Sequence, residues 1–303
     1  MPHSSLSGTD RGVRSMKVVE QEDAEIIAIG NELLNGTTLD TNSHWLSAQL
    51  SKRGLQVTRK TTIRDDLETI SDTFGQAIGR ESKWIFAIGG LGPTYDDKTI
   101  EALARAVGDN LEVNQSAKKM LKERQRKRAA ISGGRPRRLT KASLKMVTLP
   151  SRSSPLANSM GSAPGVMVHH GRSRIIALPG VPSEMKAIYL EQIAPLIKAQ
   201  AVGFKTDQTW LNAVGVGESL LAPYLERLSK RYAGKVYVKS HACPSIHGRP
   251  HLKVQIIATR PLGSAFAMKT DLDSVTLTLK TAIKKMGGEI IDEKINMRIR
   301  RSV

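Results

Sequence analysis

Residues 89–99 read Gly-Gly-Leu-Gly-Pro-Thr-Tyr-Asp-Asp-Lys-Thr and follow Trp84–Ile88, an apolar segment typical of a buried strand. A helical pattern begins within the same stretch. Its three glycines allow backbone N–H groups to approach an anion closely, and the first turn of a helix adds unpaired donors. Asp96 and Asp97 would repel a bare phosphate. The stretch therefore favours a divalent cation together with a phosphorylated ligand.

Alternating strand and helix patterns surround this stretch. The predicted elements are strand Ile26–Ile29, helix Asn42–Arg53, strand Leu55–Thr62, helix Leu67–Ile78, strand Trp84–Ile88 and helix Asp97–Val107. Such alternation predicts an α/β fold in which a mostly parallel sheet carries helices on both faces. Ligands bind these sheets at the carboxyl ends of the strands, and the glycine-rich stretch begins at such an end.

The rest of the chain divides into parts of different character. Residues 1–23 are polar and aperiodic and are interpreted as a disordered leader, and residues 291–303 as a basic tail. An insertion at 114–150 is interpreted as a basic helix, a break at Gly133–Pro136 and a second short helix. The predicted first domain covers residues 24–200. It ends with a hairpin turned at Gly171 (Val166–His169 with Arg174–Leu178) and a helix after Pro182.

A second, smaller α+β domain is predicted for residues 201–290, because longer strand patterns alternate there with two helical patterns. Its predicted elements are strand Thr209–Val214, helix Glu218–Arg231, strands Val236–Ser240 and Leu252–Ala258, and helix Phe266–Met286.

Bulk composition excludes several classes of protein. The 303 residues are 40% hydrophobic, and no apolar run reaches the roughly 18 residues that a membrane span needs. The N-terminus lacks an apolar stretch suited to export. Cys243 is the single cysteine, which excludes an internal disulfide and any multi-cysteine zinc site. We therefore expect a cytoplasmic protein with no membrane segment.

The formal charge of +18 is mostly local. Residues 118–145 contain six Lys and six Arg against a single acid, Glu123. This insertion has three interpretations: a solvated helix face, one wall of a cleft for a polyanionic nucleotide, or a contact for nucleic acid. Its lack of aromatic residues disfavours the nucleic-acid partner.

Glycine combined with an acid or a small polar residue occurs in four segments near strand-to-helix junctions: Gly30–Asn42, Gly89–Thr99, Asn158–Gly165 and Pro179–Glu184. The candidate catalytic residues are Asp97, Glu184 and Glu32, and the candidate ligands of a divalent metal are Asp96, Asp97 and Asp40. The candidate residues for binding the substrate phosphate are Gly30, Asn31, Gly89, Gly90, Gly92, Thr94, Asn158 and Gly180.

Several of these acids also fit a purely structural role. Asp97 can form a capping box with Thr94, Asp40 can cap the helix that begins at Asn42, and Glu184 lies in a predicted first helical turn. A capping box explains Asp97 but not the adjacent Asp96 and the glycines.

Two other kinds of site are disfavoured. The spacing of His241, Cys243, His247 and His251 is similar to a zinc site, but the intervening prolines and glycine predict a loop without an obvious fourth ligand. No Gly-x-x-x-x-Gly-Lys-Ser/Thr motif occurs, which argues against an ordinary ATPase or kinase.

The four segments together resemble the molybdopterin-binding-like domain of the CinA (competence-damage-inducible) family and, more distantly, that of eukaryotic FAD synthase. The matching motifs lie at 30–46, 89–97, 163–165 and 179–185, and the resemblance covers about Glu25 to Ala199. Gly215–Ser219 looks like the start of the small KH-like domain that follows in such proteins. The resemblance implies a three-layer domain of the MogA/MoaB type, followed by a KH-like α+β domain.

The resemblance further implies metal-dependent hydrolysis of a nucleotide pyrophosphate, ADP-ribose or FAD, with Mg, Mn or Co, by a homo-oligomer. Asp97 is the essential acid in this alignment. Many relatives have Asp where this chain has Asn31, and the nicotinamide-mononucleotide deamidase domain of full-length CinA proteins has no counterpart here. The alternatives are a pterin or nucleotide binder of molybdenum-cofactor biosynthesis and a non-catalytic RNA-associated module.

Overall fold

The computed structural model of the chain describes residues 21–133, 135, 138–199, 204–261 and 264–291. The predicted leader up to residue 20, the basic tail from residue 292 and part of the predicted Gly133–Pro136 break lie outside these residues. Asp23 already belongs to the first strand, so the predicted leader ends one residue too late. Ile291 still belongs to the last strand, so the predicted tail begins one residue too early.

Strands and helices alternate as predicted up to residue 106, and a run of consecutive strands follows the insertion. The strands are β1 (Asp23–Ile29), β2 (Gln56–Ile63), β3 (Trp84–Ile88), β4 (Leu111–Val113), β5 (Thr148–Pro150), β6 (Ser153–Leu156), β7 (Gly165–His170) and β8 (Ser173–Leu178). The helices are α1 (Asn31–Leu34), α2 (Thr41–Lys52), α3 (Leu67–Gly79), α4 (Thr99–Ala106), α5 (Gln115–Ile131), α6 (Lys141–Lys145), α7 (Pro182–Ile188) and α8 (Ala194–Ala199), with a π-helical turn at Tyr189–Ile193 between the last two.

Six of these strands form one sheet in the order β2-β1-β3-β8-β7-β6. β2, β1, β3 and β8 run parallel, whereas β7 and β6 pair antiparallel. The sheet is therefore mixed and rich in parallel pairs. Its antiparallel edge follows from the β7–β8 hairpin, which turns at Gly171 as predicted.

Both faces of this sheet are covered. The side chains of β3 are all buried, and successive residues of a strand point to opposite faces. Ile85 and Ala87 pack into one apolar cluster with residues of α3 and α4, while Trp84 and Phe86 pack into a second cluster with residues of α2 and α7. The unbroken apolar run of β3 is thus the sequence signature of the middle layer of three.

The start of α4 differs from the prediction. The helix begins at Thr99 rather than at Asp97, so neither Asp96 nor Asp97 lies in its first turn. The N–H of Thr99 donates to the carbonyl of Gly90, and its hydroxyl donates to that of Gly89 at 2.8 Å. Because Thr99 is held back against the end of β3, residues 91–98 form a loop before the helix begins.

The insertion contains its two predicted helices, and an unpredicted pair of strands lies at its two ends. β4 and β5 pair antiparallel, from Leu111 opposite Pro150 to Val113 opposite Thr148, and hold the two ends of the insertion together. Strands of three residues are too short to show a period of two. Two further elements were not predicted: α1, a single helical turn directly after β1, and the strand β6.

Glu25 is an acid buried inside the sheet, with its side chain 4% exposed. Arg80 donates to both of its carboxylate oxygens at 2.7 Å, and Ser82 donates at 2.7 Å. Burial alone would raise the pKa of Glu25, but these hydrogen bonds and the charge of Arg80 outweigh burial and lower it. The ionised form is therefore the one that the fold stabilises.

We expect Glu25→Gln to lower the free energy of unfolding above pH 4.5, the ordinary pKa of a glutamate, and to matter progressively less below it. A lowered pKa in the folded state contributes stability that is lost as the pH falls. Urea unfolding of both proteins from pH 3 to 8 measures this. The exposed Glu81, 3.5 Å from Arg172, is the control, and Glu81→Gln should change little at any pH. A Glu25→Gln difference that stays constant down to pH 3 would contradict the assignment.

From Phe204 the described chain forms a separate antiparallel sheet, with the strand order β10-β11-β9-β12. Its elements are β9 (Phe204–Val214), α9 (Glu218–Arg231), β10 (Val236–Ile246), β11 (Arg249–Pro261), α10 (Ala265–Lys285) and β12 (Glu289–Ile291). Residues of α9 and α10 share one apolar cluster with the three long strands. This confirms the small α+β unit, while its likeness to a KH domain stays a prediction. No helix among the described residues is long and apolar enough to cross a membrane.

The predicted loop at 241–251 is wrong. β10 and β11 continue into a long hairpin, whose tight turn consists of His247 and Gly248, both with positive φ. Pro244 is tolerated because the register shifts between Cys243 and Ile246, and because β10 is an edge strand.

Candidate active site at the carboxyl ends of the parallel strands

The ends of β1 and β3 lie side by side at the carboxyl edge of the sheet. The N–H of Gly89 donates to the carbonyl of Leu178 at 2.9 Å, and that of Gly30 to Ile63 at 3.1 Å. A Cβ on Gly89 would lie 2.2 Å from the carbonyl oxygen of Ile29, and its φ is +111°. Glycine is thus required at this crossing of two backbones. Beside it opens a cavity of about 710 Å³.

Most of the predicted site residues line this one cavity. They come from three of the four glycine-containing segments and comprise Gly30, Glu32, Gly89, Gly90, Gly92, Asp96, Asp97, Gly180 and Glu184. Asn31, Thr94 and Asn158 are not part of this lining, but each is hydrogen-bonded to an acid that is: Asn31 to Asp65, Thr94 to Asp97 and Asn158 to Glu184.

Asp40 lies apart from these residues. Its carboxylate accepts the N–H of Ser43 at 2.9 Å and caps α2, which is the structural role foreseen for it. It lines a smaller depression of about 120 Å³ together with Glu32 and Gly180. The structure thus places it beside the main cavity and not in its lining.

Each candidate catalytic carboxylate lies directly over a glycine. A Cβ on Gly30 would lie 2.5 Å from Oε1 of Glu32, one on Gly92 2.5 Å from Oδ2 of Asp97, and one on Gly161 1.9 Å from Oε2 of Glu184. These three glycines therefore leave the space that the carboxylates occupy. Sequence reasoning assigned Gly30 and Gly92 to phosphate binding, gave Gly161 no role, and missed this one.

The backbone after β3 offers unpaired donors to the cavity. Because the N–H of Gly89 is bound to Leu178, it is not available to a ligand, which corrects the prediction that it holds phosphate directly. The N–H groups of Gly90, Leu91 and Gly92 have no acceptor among the described residues. Consecutive amides of this kind form an anion-binding concavity.

Asp96 and Asp97 are held by Thr94. The N–H of Thr94 donates to Oδ2 of Asp97 at 2.8 Å, and its hydroxyl lies 2.5 Å from both Asp97 Oδ2 and Asp96 Oδ1. The hydrogen bond from Thr94 is the largest influence on Asp96 and lowers its pKa. The predicted Thr94–Asp97 contact therefore exists, but it closes a turn before α4 instead of capping the helix.

Asn158 organises the opposite side of the cavity. Its side-chain oxygen accepts the N–H groups of Met160 and Gly161 at 3.0 and 2.7 Å, while its amide donates to Glu184 Oε2 at 2.7 Å and to the carbonyl of Ala163 at 2.8 Å. One side chain thus shapes the 158–163 loop and orients Glu184. Since Asn158 does not line the cavity, its role here is positioning.

Asp65 is a site residue that sequence reasoning missed. It follows β2, and its carboxylate accepts the N–H of Asn31 at 2.9 Å. Burial raises the pKa of Asp65, and the negative charges of Glu32, Asp96 and Asp97 raise it further. Four carboxylates therefore lie close enough to repel one another. Its position just beyond the carboxyl end of a parallel strand was the available signal.

We expect Asp65→Asn to raise the melting temperature in metal-free buffer at pH 7. Because the pKa of Asp65 is raised in the folded state, the ionised carboxylate destabilises the fold above that pKa, and the penalty disappears as the pH falls. The gain should therefore shrink towards pH 3. The adjacent Asp66 caps α3 and has a lowered pKa, so Asp66→Asn should not stabilise. Equal gains at both positions would contradict the repulsion.

The basic insertion also reaches the cavity. Arg124 and Arg128 of α5 line it, together with Met160, Gly161 and Ser162. Of the three interpretations of the insertion, a wall of the cleft therefore applies to these two side chains. The sequence contained the signal in their spacing of four residues, but twelve basic residues in one segment obscured it.

Comparison with known proteins places the chain in a family. The family model described as a probable molybdopterin binding domain matches residues 25–199. An Aeropyrum pernix protein is 38% identical over 277 residues, covering 90% of this chain and 98% of the relative, and a Sulfolobus acidocaldarius protein is 37% identical over 263 residues, covering 87% and 92%. The crystal structure of a CinA protein of unknown function from Thermoplasma acidophilum is similar at 35% identity with a TM-score of 0.52, covering 58% of this chain and 99% of that one. The chain therefore belongs to the family of probable molybdopterin-binding domains.

Proposed function

We propose that this protein is a divalent-metal-dependent hydrolase that cleaves the phosphoanhydride of ADP-ribose, or of a related dinucleotide such as FAD, into AMP and a second phosphate monoester. The observation that carries this proposal is the pairing of unbound amides at Gly90–Gly92 with the carboxylates of Asp96 and Asp97 in one cavity. The amides suit a phosphate, and the carboxylates suit the cation that accompanies it.

The residues present fit a metal held jointly with substrate. The structure describes no group of three or more His, Cys, Asp or Glu arranged to hold an ion by themselves. Mg²⁺, however, is usually bound by one or two carboxylates plus substrate phosphates and water. Asp96 and Asp97 would supply these carboxylates, and the mutual repulsion around Asp65 would be relieved. When bound, the cation polarises the phosphoryl oxygens and neutralises charge.

The chain's own residues then divide the remaining tasks. The amides of residues 90–92 hold one phosphate of the diphosphate. Either Glu184, which Asn158 orients, or Glu32 accepts a proton from a water molecule while the oxygen of that water forms a bond to phosphorus. The bond between that phosphorus and the bridging oxygen breaks, and the second phosphate leaves with the bridging oxygen and its electron pair. The two products together contain the atoms of the substrate and of one water molecule, and each product is a phosphate monoester.

A substrate panel tests this proposal. Purified protein is incubated with ADP-ribose, FAD, NAD and diadenosine polyphosphates, each with Mg²⁺, Mn²⁺ or Co²⁺, and released AMP is quantified. We expect AMP from at least one of these substrates, with no release in the presence of EDTA. The absence of AMP from every combination would contradict the proposed hydrolase.

A second candidate function is the binding of a pterin for molybdenum-cofactor biosynthesis, since the matching family model is described by molybdopterin binding. The same cavity would then hold a pterin phosphate without cleaving a diphosphate. Fluorescence of a pterin copurifying with the protein, together with an inactive substrate panel, would favour this function.

A further inference from the structure

Two arginines of the insertion face the same cavity as the acids. The buried residues Ala117 and Leu121 fix the inward side of α5, and Arg124 and Arg128 continue the same stripe at steps of three and four residues. The neighbouring Arg126 and Lys127 are exposed and lie outside the cavity lining. The inward pair is thus set apart from the general basic charge of the helix.

Neither arginine is neutralised by an acid among the described residues. Arg124 donates through Nη2 to the carbonyl of Met160, while its Nε is buried without an acceptor. Arg128 is exposed and lines both the cavity and an adjoining depression. A buried donor without a partner is unfavourable, and a guanidinium turned toward an anion in the cavity would be satisfied.

The charged groups of the cavity come from different elements. Asp65, Asp96 and Asp97 lie in the loops after β2 and β3, the latter together with the free amides of the glycine loop, whereas the arginine pair belongs to α5, and Arg124 is bound to the 158–163 loop. A single phosphate at the glycine loop leaves the arginines unused. A diphosphate offers a second anionic group next to the first.

We propose that Arg124 and Arg128 bind the second phosphate of the diphosphate, the one that departs when the anhydride is cleaved. This inference rests on the proposed function and extends it to substrate choice. Planar guanidinium groups bind phosphate oxygens through paired hydrogen bonds. When the bond from phosphorus to the bridging oxygen breaks, the departing group keeps that oxygen and gains negative charge, which the two arginines stabilise. The site therefore selects diphosphates over monophosphates.

Binding of a diphosphate that cannot be hydrolysed tests this inference apart from turnover. The ligands are α,β-methylene-ADP, whose bridging atom is carbon, and AMP, each titrated calorimetrically into the full chain with Mg²⁺. We expect Arg124→Gln/Arg128→Gln to weaken binding of the diphosphate analogue about tenfold or more, or about 1.4 kcal/mol, and to leave AMP within about twofold. Arg124→Lys/Arg128→Lys keeps the charge but loses the planar guanidinium groups, so its affinity for the analogue should lie between those of the unmutated protein and the glutamine variant.

The matched control is Arg126→Gln/Lys127→Gln, which removes two charges from the solvent side of the same helix. It should change neither affinity by more than about twofold, because screened surface charge contributes little. The inference is overturned if Arg124→Gln/Arg128→Gln leaves the affinity for the analogue unchanged or lowers the affinity for AMP equally. It is also overturned if the control variant loses as much affinity for the analogue, or if the unmutated protein binds neither ligand. Arginine-dependent binding together with an inactive substrate panel would refute the hydrolase but support the diphosphate site.

Discussion

Replacing Asp97 by asparagine is expected to lower the rate of ADP-ribose hydrolysis by at least about 100-fold at saturating Mg²⁺, since even residues that only orient a metal ligand cost about 10- to 100-fold. Asparagine keeps an oxygen that accepts the N–H of Thr94, so the turn before α4 should persist. What it loses is the negative charge that faces the cation. Initial rates of AMP release with Mg²⁺, Mn²⁺ and Co²⁺ measure the effect.

The control for Asp97 is Asp72, an exposed acid of α3 outside the cavity lining. Asp72→Asn removes the same charge and should retain the full rate. Both variants should also unfold in urea at nearly the same midpoint as the unmutated protein, so that a loss of rate is not a loss of fold. Unchanged hydrolysis by Asp97→Asn with all three metals would refute the proposed role of this carboxylate.

Gly89→Ala is expected to be the most destabilising single substitution at the site, at about 2–5 kcal/mol of the free energy of unfolding. The φ of +111° strains any residue with a Cβ, and that Cβ would lie 2.2 Å from the carbonyl oxygen of Ile29. This neighbour is backbone within the sheet and cannot turn away as a side chain can. Guanidinium unfolding followed by circular dichroism provides the measurement.

Gly75 supplies the matched comparison, because it is an exposed glycine inside α3 and a Cβ added there would meet no atom within 4 Å. Gly75→Ala should stabilise the protein by about 0.5–1 kcal/mol through the lower conformational entropy of the unfolded chain and better helix propensity. If Gly89→Ala were as harmless as Gly75→Ala, the crossing of the two backbones at the site would be wrongly described.

Sequence patterns predicted the middle layer well because its signal is local and strong. The apolar run of β3 is buried from Trp84 to Ile88, and Asp66 caps α3 through the N–H groups of Glu68 and Thr69. In both cases the residues that determine the structure are neighbours in the chain. Burial on both faces of a sheet explains why five consecutive side chains, Trp84–Ile88, are all apolar.

The sequence-based predictions fail where contacts between residues far apart in the chain determine where an element begins or ends. α4 begins late because Thr99 is bound to the carbonyls of Gly89 and Gly90, a contact that no helical period reveals. The hairpin at 241–251 forms despite Pro244 because a register shift and an edge position accommodate this proline.

In the candidate site, too, residues with a local sequence signal were predicted and residues brought in by distant contacts were missed. Glycine-rich segments at strand ends led to Glu32, Asp97 and Glu184, which the structure brings together. Asp65 carries no glycine beside it, and Arg124 lies more than thirty residues from the loop that it faces, so neither was visible as a member of the site. Charge in a basic segment can be assigned to a ligand only after the fold shows which side faces inward.

The strand order has a further consequence for how such a protein can be re-engineered. The strands β1 and β3 end side by side, but after β1 the chain leads to β2 on one side, and after β3 it leads to the strands on the other side. This divergence of the chain leaves a crevice between the two strand ends that depends on the strand order alone. The crevice therefore does not depend on which side chains the loops around it carry. New specificities can therefore be sought by exchanging rim residues in libraries while the sheet is left untouched.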